Sequence, residues 1–233
     1  YVTSDAHGHV RALDEALSKI SLASDDTLYV LGDMIDRGPD PVGVIKLVRS
    51  LPNARVLKGN HEQIMLDAII GQDPLDAETW DINGGWTTRQ QLNDMEFEAY
   101  EELVRWMATL PLYAVVETDE RPYLLVHAGI QTEAARAFLF EHGVDCADGT
   151  GAVDADRELL KQMLAVQSSD DLLWIRHGYW DAPTGLLSAE GKGPVVVSGH
   201  TPTVSLGRYC EVGGLAGLDE EAGRVQIVRL GGE

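Results

Sequence analysis

Four short apolar runs, each followed within three residues by a candidate ligand residue, are the feature of this sequence that most constrains its fold. The runs are residues 27–31, 54–57, 123–126 and 195–197, and the polar residues that follow them are Asp33, Asn60, His127 and His200. Short runs rich in Val and Leu are typical of strands that are covered on both faces. Because ligand sites in open α/β sheets lie at the carboxyl ends of strands, we expect these polar residues to lie at one edge.

Helical spacing of apolar residues predicts helices between the early strands. They are predicted to cover residues 10–20, to follow Pro41, and to cover residues 96–110. The pattern weakens over residues 131–171, a candidate cap or insertion with one helix predicted around residues 157–166. Since no repeat, linker or low-complexity tract marks a boundary, the sequence predicts an α/β fold and a single domain over residues 1–233.

The charge balance limits the partners of the protein. The chain has 18 Lys and Arg against 38 Asp and Glu, so a surface of net charge -20 should repel nucleic acids and anionic membranes. Its two cysteines, Cys146 and Cys210, lie far apart and argue against a disulfide framework or a zinc ribbon. No apolar run could span a bilayer, and no basic-then-apolar leader is present. We therefore expect a cytoplasmic protein without nucleic acid or membrane partners, of unassigned oligomeric state.

The residues Asp5 and His7 form the first candidate site. They lie two positions apart, so at the end of an extended strand their side chains would point the same way and could share a cation. The alternative is a helix N-cap at Asp5 or Ser4, with His7 exposed to solvent.

The loop from Gly32 to Gly38 is the more specific signal. It combines Asp33, Asp36 and Arg37 directly after a predicted strand. Asp33 could offer one oxygen to each of two metals, and the planar guanidinium of Arg37 could bind phosphate oxygens. A salt bridge between aspartate and arginine in a tight turn is the structural alternative.

A third motif, Gly59 to Glu62, follows the next strand and begins a helical pattern, which places its amides at a helix end suited to anions. Asn60 offers a neutral oxygen ligand and His61 a titratable nitrogen. Alternatively, Asn60 is a helix N-cap and His61 a surface residue.

His127 and His200 complete the set. Either histidine alone would more often be a hydrogen-bonded core residue than a metal ligand. Polar residues at the ends of several strands nevertheless favour one metal site.

The ligand types indicate which metals could bind. Carboxylate and amide oxygens combined with imidazole, without thiolate, favour Mn, Fe or Zn over an iron–sulfur centre or structural zinc. Two such ions about 3.5–4 Å apart can activate a water and stabilise both oxygens of an in-line displacement at phosphorus.

Five motifs in this order resemble the signature of the calcineurin-like metallophosphoesterases, specifically the lambda phosphatase-like phosphoprotein phosphatases of bacterial and bacteriophage type. They are Asp5 to Gly8, Gly32 to Gly38, Gly59 to Glu62, His127, and Gly199 to Pro202. The resemblance implies a four-layer α/β sandwich of two mixed β-sheets flanked by helices, with a dimetal site at the strand C-terminal ends.

The resemblance also implies a role for each site residue. Asp5, His7 and a bridging Asp33 would hold one divalent ion, and Asp33, Asn60, His127 and His200 the other, with manganese expected first. Metal-bound hydroxide would attack phosphorus directly. His61 would be the general acid, and Asp36 would orient its ring and favour its charged form. The phosphate would be bound by Arg37, Arg176 and Asn60, unless Arg176 is only a helix-surface arginine.

Three functions remain open at this stage. The resemblance favours a protein serine/threonine phosphatase with activity on phosphotyrosine, acting on a phosphoprotein or phosphopeptide, because Asp36 and Glu62 match the protein-directed pattern. A symmetrical dinucleoside tetraphosphate hydrolase is the alternative, although such enzymes tend to lack an acidic residue at the position of Asp36. A non-catalytic scaffold that binds phospho-ligands is the alternative of another class.

Two further segments bear on the resemblance. The family usually has a strand with Asp-Thr-Gly after Gly-His-Thr-Pro, whereas this chain has residues 208–214 without that motif. We therefore expect the edge of the site beside His200 to be less well supported and the second metal to bind more weakly. The segment Asn83 to Trp86 resembles a Gly-rich loop of the phage-like enzymes, and its role in binding substrate or in folding stays open.

Overall fold

A computed structural model describes residues 1–71, 73–146, 155–176, 179, 181–188, 190–202, 211–212, 215–217 and 223–231. The chain divides into two compact units, each described by itself below. The first comprises Tyr1–Pro111 and Glu220–Val228, and the second Leu112–Asp219 and Arg229–Glu233. The single domain over residues 1–233 stays a prediction.

The first unit contains a parallel sheet in the order β1-β2-β3. Its strands are β1 (Val2–Thr3), β2 (Leu28–Val30) and β3 (Ala54–Val56). Its helices are α1 (Val10–Ser18), α2 (Pro41–Ser50), α3 (Asn60–Ile70), α4 (Pro74–Ile82), α5 (Trp86–Asn93) and α6 (Phe97–Ala108). Val228 forms an isolated antiparallel bridge with Val2. Strand and helix therefore alternate up to α3, as the apolar runs and helical spacing predict.

Local signals explain where these elements begin. Asp40 caps α2 by accepting a hydrogen bond from the backbone N–H of Gly43 at 2.9 Å, and Pro41 occupies the first helical turn. The helices and the sheet bury a common apolar core. It includes Leu13, Leu28, Val30, Met34, Ile45, Met65 and Met107. This packing fixes the strand ends, from which the loops with the predicted site residues begin.

The second unit contains a mixed sheet in the order β4-β5-β6-β8-β7. Its strands are β4 (Tyr113–Glu117), β5 (Pro122–Val126), β6 (Val195–Ser198), β7 (Glu211–Val212) and β8 (Leu215–Gly217). The ladders β5–β6 and β6–β8 are parallel, and β4–β5 and β7–β8 are antiparallel. A strand thus follows the Gly-His-Thr-Pro motif after all and lies beside β6, although it lacks the Asp-Thr-Gly sequence.

The segment 131–171 contains more helix than its weak pattern indicates. It includes α7 (Thr132–Glu141), α8 (Arg157–Ala165) and the start of α9 (Ser169–Trp174), where one helix was predicted. Buried side chains of α7 and α8, such as Leu139 and Leu160, pack in the same core as Leu124 of β5. Whether the segment is a cap or an insertion stays a prediction. No helix in the described part of the chain is long and apolar enough to cross a membrane.

Candidate active site

Three loops of the first unit bring together seven predicted site residues at the carboxyl ends of its strands. They are Asp5 and His7 after β1, Asp33, Asp36 and Arg37 after β2, and Asn60 and His61 at the start of α3 after β3. Backbone hydrogen bonds extend the pairing beyond the strands: the N–H of Asp5 donates to Gly32 O at 3.1 Å, and that of His7 to Asp33 O at 2.9 Å. The first two loops are therefore fixed against each other.

The backbone is strained in these loops and at His200 of the second unit. Among the described residues, six non-glycine residues have φ in the left-handed region, between 40° and 69°. They are Asp5, His7, Asp33, Asp36, Arg37 and His200, all of which are predicted site residues. Such conformations cost on the order of 1–3 kcal/mol each and tend to occur where function requires them.

The expected backbone of Asp5 and His7 is wrong. The sequence argument placed them on an extended strand end, but β1 ends at Thr3 and both residues have left-handed φ, 54° and 40°. The tight loop still brings Nε2 of His7 to 4.0 Å from Oδ1 of Asp5. The two side chains therefore approach each other through backbone strain instead of strand alternation.

The side chains of the first unit form a buried cluster of nitrogen and oxygen donors. Nε2 of His7 lies 3.5 Å from Oδ2 of Asp33, and Nε2 of His61 lies 3.9 Å from the same oxygen. Nδ1 of His7 donates to the carbonyl of Ile35 at 2.9 Å, which leaves a lone pair on Nε2 that can bind a metal or accept from Arg37. Burial, and then His61, lower the pKa of His7 to about 3, so the ring is neutral, as metal coordination requires.

Several carboxyl groups also lie close together in the cluster. Asp33 is 2% exposed, and burial first, then Asp5 and Glu62, raise its pKa well above the usual range. The guanidinium of Arg37 lies 2.9 Å from Nε2 of His7 and 2.8 Å from Nε2 of His61, so a cation already contacts the cluster. Converging nitrogen and oxygen atoms and a neutral imidazole together fit a divalent cation.

Glu62 joins the loop after β2 to the loop after β3, both of which carry predicted site residues. Its Oε2 accepts from the backbone N–H groups of Asp33 and Gly59, and its Oε1 from Met34, all at 2.8 Å. Gly32 has φ 92°, and a Cβ there would overlap the backbone of Gly59. The glycine therefore allows the two strand ends to approach closely enough for one carboxylate to bridge them.

His61 and Asp36 form a fully buried pair. Nδ1 of His61 lies 2.7 Å from Oδ2 of Asp36, and both side chains are 0% exposed. Asp36 also accepts from Thr88 Oγ1 at 2.6 Å and from Trp80 Nε1 at 3.1 Å. Burial raises the pKa of Asp36 to about 6, although the hydrogen bonds from Thr88 and Trp80 oppose this increase. Sequence reasoning did not identify Trp80 and Thr88; the only signal was the Gly-rich segment between them.

The second unit brings together the three other predicted residues. His127 follows β5 and His200 follows β6, and their ring centroids lie 5.1 Å apart. The backbone N–H of Gly199 donates to His127 O at 2.8 Å. Nη2 of Arg176 lies 2.7 Å from His200 O and 3.2 Å from its Nε2. The roles of His127 and His200 in metal binding, and of Arg176 in phosphate binding, stay predictions.

The family profile of calcineurin-like phosphoesterases matches residues 1–230. This chain belongs to the calcineurin-like phosphoesterase family. The predicted family and fold class are confirmed, with two sheets flanked by helices. Membership supports an enzyme that hydrolyses phosphoester bonds and implies two divalent metal ions.

Relatives of this chain have two kinds of name. The symmetrical bis(5'-nucleosyl)-tetraphosphatase of Proteus mirabilis is 28% identical over 219 residues, which are 90% of this chain and 67% of that protein. Serine/threonine-protein phosphatase 2 of Escherichia coli K12 is 32% identical over 130 residues, 55% of this chain and 57% of that protein. Relatives therefore do not single out the lambda phosphatase-like branch.

A solved structure supports the fold alone. A protein described as a candidate diadenosine tetraphosphatase matches with a TM-score of 0.54 and 18% identity, covering 94% of this chain and 81% of that one. The chain spans 43% to 67% of the length of curated relatives that it matches.

Proposed function

We propose that this phosphoesterase hydrolyses phosphate monoesters of protein serine and threonine, and also of tyrosine. The observation that carries the proposal is the buried pair of His61 and Asp36, with 2.7 Å between Nδ1 and Oδ2. An alkoxide leaving group is a strong base, so its departure needs a positioned proton donor. A nucleoside diphosphate leaves as a stable anion and has no such need. A preorganised acid therefore fits a phosphomonoester better than a polyphosphate.

In this proposal the carboxylate of Asp36 holds the proton on Nδ1 of His61, and Nε2 delivers a proton to the leaving oxygen. Arg37 lies against that Nε2 at 2.8 Å. Because both groups are donors when His61 is protonated, we expect a phosphate oxygen to accept from both and to separate them. Asn60 and Arg176 are proposed as further phosphate contacts.

The proposed metal ligands in the first unit are Asp5, His7, Asp33 and Asn60. Two bound divalent ions would neutralise phosphate charge and lower the pKa of a nucleophilic water. Manganese is proposed because the donor set combines hard carboxylate oxygens with imidazole. Metal analysis of protein purified without added metal tests this identity, and bound iron or zinc would contradict it.

The substitution His61→Asn tests the acid directly. We expect kcat on a phosphoserine peptide to fall by about 10²–10⁴-fold, the usual contribution of a general acid. On 4-nitrophenyl phosphate, whose leaving group is a weak base, the loss should be far smaller. Asp36→Asn should show the same substrate dependence. His142→Asn, at an exposed histidine, is the matched control and should leave both rates unchanged. Equal losses on the two substrates would contradict the assignment.

The names of the relatives favour a second candidate, a symmetrical dinucleoside tetraphosphate hydrolase. The alignment with the Proteus mirabilis protein extends over 90% of this chain. Comparing kcat/KM for a phosphoserine peptide and for diadenosine tetraphosphate separates the candidates. We expect the peptide to be the better substrate. Much faster cleavage of the dinucleotide, insensitive to His61→Asn, would give the function to this alternative. A non-catalytic scaffold predicts no hydrolysis of 4-nitrophenyl phosphate with added manganese.

A further inference from the structure

We propose that Thr88 and Trp80 are positioning residues of the reaction: they hold the carboxylate of Asp36 in the orientation that directs the His61 ring. The inference rests on the proposed role of His61 as the general acid. It also gives a function to the Gly-rich segment Asn83 to Trp86, which lies between the two residues in the sequence.

Thr88 holds Asp36 at two points. Its hydroxyl donates to Oδ1 of the carboxylate at 2.6 Å and accepts from the backbone N–H of the same residue at 2.9 Å. A hydroxyl has a single proton, and here that proton is committed to the carboxylate. The side chain of Asp36 is thus tied to its own left-handed backbone through one hydroxyl group.

Trp80 fixes the carboxylate from another side. Its indole Nε1 lies 3.1 Å from Oδ1 and 3.2 Å from Oδ2 of Asp36, and an indole N–H can only donate. With Thr88 on Oδ1 and His61 on Oδ2, the carboxylate accepts from three side chains while it is 0% exposed. Water therefore does not compete for it, and the plane of the carboxylate is determined by Thr88 and Trp80.

The Gly-rich segment brings these two residues to Asp36. Trp80 lies near the end of α4, and Thr88 lies in the first turn of α5. Gly84, with φ 94°, accepts from the backbone N–H of Arg37 at 3.1 Å. A Cβ at Gly85 would overlap the indole of Trp80. The glycines therefore allow the turn to approach both the loop after β2 and the indole ring.

Thr88→Val tests the inference, because it removes the hydroxyl at nearly constant volume. We expect kcat on a phosphoserine peptide to fall by about 10–100-fold, with KM little changed. A loss of this size is typical when an outer hydrogen-bond partner of a functional group is removed. The rate on 4-nitrophenyl phosphate should be maintained. Thr88→Ser keeps the hydroxyl and should restore the peptide activity. Trp80→Phe, which removes the indole N–H, should repeat the pattern of Thr88→Val.

Thr87→Val and Trp106→Phe are the matched controls. Thr87 is buried on the same helix as Thr88, and its hydroxyl makes a long hydrogen bond of 3.5 Å to Gly84 O. Trp106 lies on α6. Both variants should behave as the unmutated protein. Equal losses on both substrates, or no rescue by Thr88→Ser, would overturn the inference.

The outcome for His61→Asn separates the inference from the proposed function. If His61→Asn shows the leaving-group dependence and neither Thr88→Val nor Trp80→Phe does, the inference fails and the acid assignment stands. If His61→Asn shows no leaving-group dependence, the acid assignment itself fails. Maintained hydrolysis of 4-nitrophenyl phosphate, together with an unchanged melting temperature, would exclude misfolding as the cause of a lower peptide rate.

Discussion

Asp33→Asn should abolish metal-dependent hydrolysis and at the same time raise the melting temperature of the metal-free protein. The pKa of Asp33 is raised by burial first, and then by Asp5 and Glu62. A carboxyl group with a raised folded-state pKa loses stabilising free energy as the pH rises through that pKa, so its charge destabilises the metal-free fold above it. Asn removes the charge but keeps the oxygen that accepts from the backbone N–H of His61 at 3.0 Å.

Added manganese should make the unmutated protein more stable than Asp33→Asn, the reverse of the order without metal. A ligand that binds only the folded state stabilises it by about 2.7 kcal/mol at 100 times its Kd. The unmutated protein should therefore gain melting temperature with metal, and Asp33→Asn should gain little. We expect kcat/KM to fall by about 10³-fold or more, equivalent to about 4 kcal/mol of transition-state stabilisation. Differential scanning calorimetry with and without manganese, combined with an aryl phosphate assay, measures both effects.

Asp81→Asn is the control for this experiment. Asp81 is an exposed carboxylate that pairs with Arg89, so its replacement should change neither the metal response nor the rate. A lower melting temperature for metal-free Asp33→Asn would contradict the charge argument. Unchanged manganese affinity in that variant would instead exclude Asp33 as a ligand.

The sequence predicted those features that depend on local pattern. The runs before Asp33, Asn60, His127 and His200 are strands in the structure, because short buried strands have a local apolar signal. The family was predicted because each of its motifs is a short, unbroken stretch of sequence. Helix α7 was missed: its residues 132–141 include several alanines, which pack well but give a weak apolar period.

Features that depend on tertiary contacts could not be predicted. Thr88 is 52 residues from Asp36 in the sequence and Trp80 is 44 residues from it, and neither separation has a periodic signal. The left-handed backbone of Asp5 and His7 was unexpected because few non-glycine residues adopt that region, although Asp and His do so more often than most. Both failures concern strained or buried polar residues, where function overrides local preference.

The second prediction concerns Glu62, whose carboxylate accepts from the backbone N–H groups of Asp33, Met34 and Gly59. Glu62→Gln would place an NH₂ group against at least one of these donors. Hydrogen bonds to charged groups contribute about 1.5–3 kcal/mol each, and an unsatisfied buried donor adds a desolvation cost. The substitution also removes a charge that acts on Asp33, but Glu62 ranks only third among the causes of that raised pKa. The lost hydrogen bonds should therefore dominate.

We expect Glu62→Gln to lower the free energy of unfolding by about 2–4 kcal/mol, which corresponds to about 10 °C in a protein of this size. Circular dichroism of the metal-free protein measures this change. Hydrogen exchange should become faster at the amides of residues 33, 34 and 59, because these groups lose their shared acceptor. Glu102→Gln, at an exposed glutamate paired with Arg49, should leave both measurements unchanged. Glu62→Gln could instead melt at the same temperature as the unmutated protein, with equally slow exchange at these three amides. The loops after β2 and β3 would then be held by backbone pairing alone, and the carboxylate bridge would contribute nothing to the site.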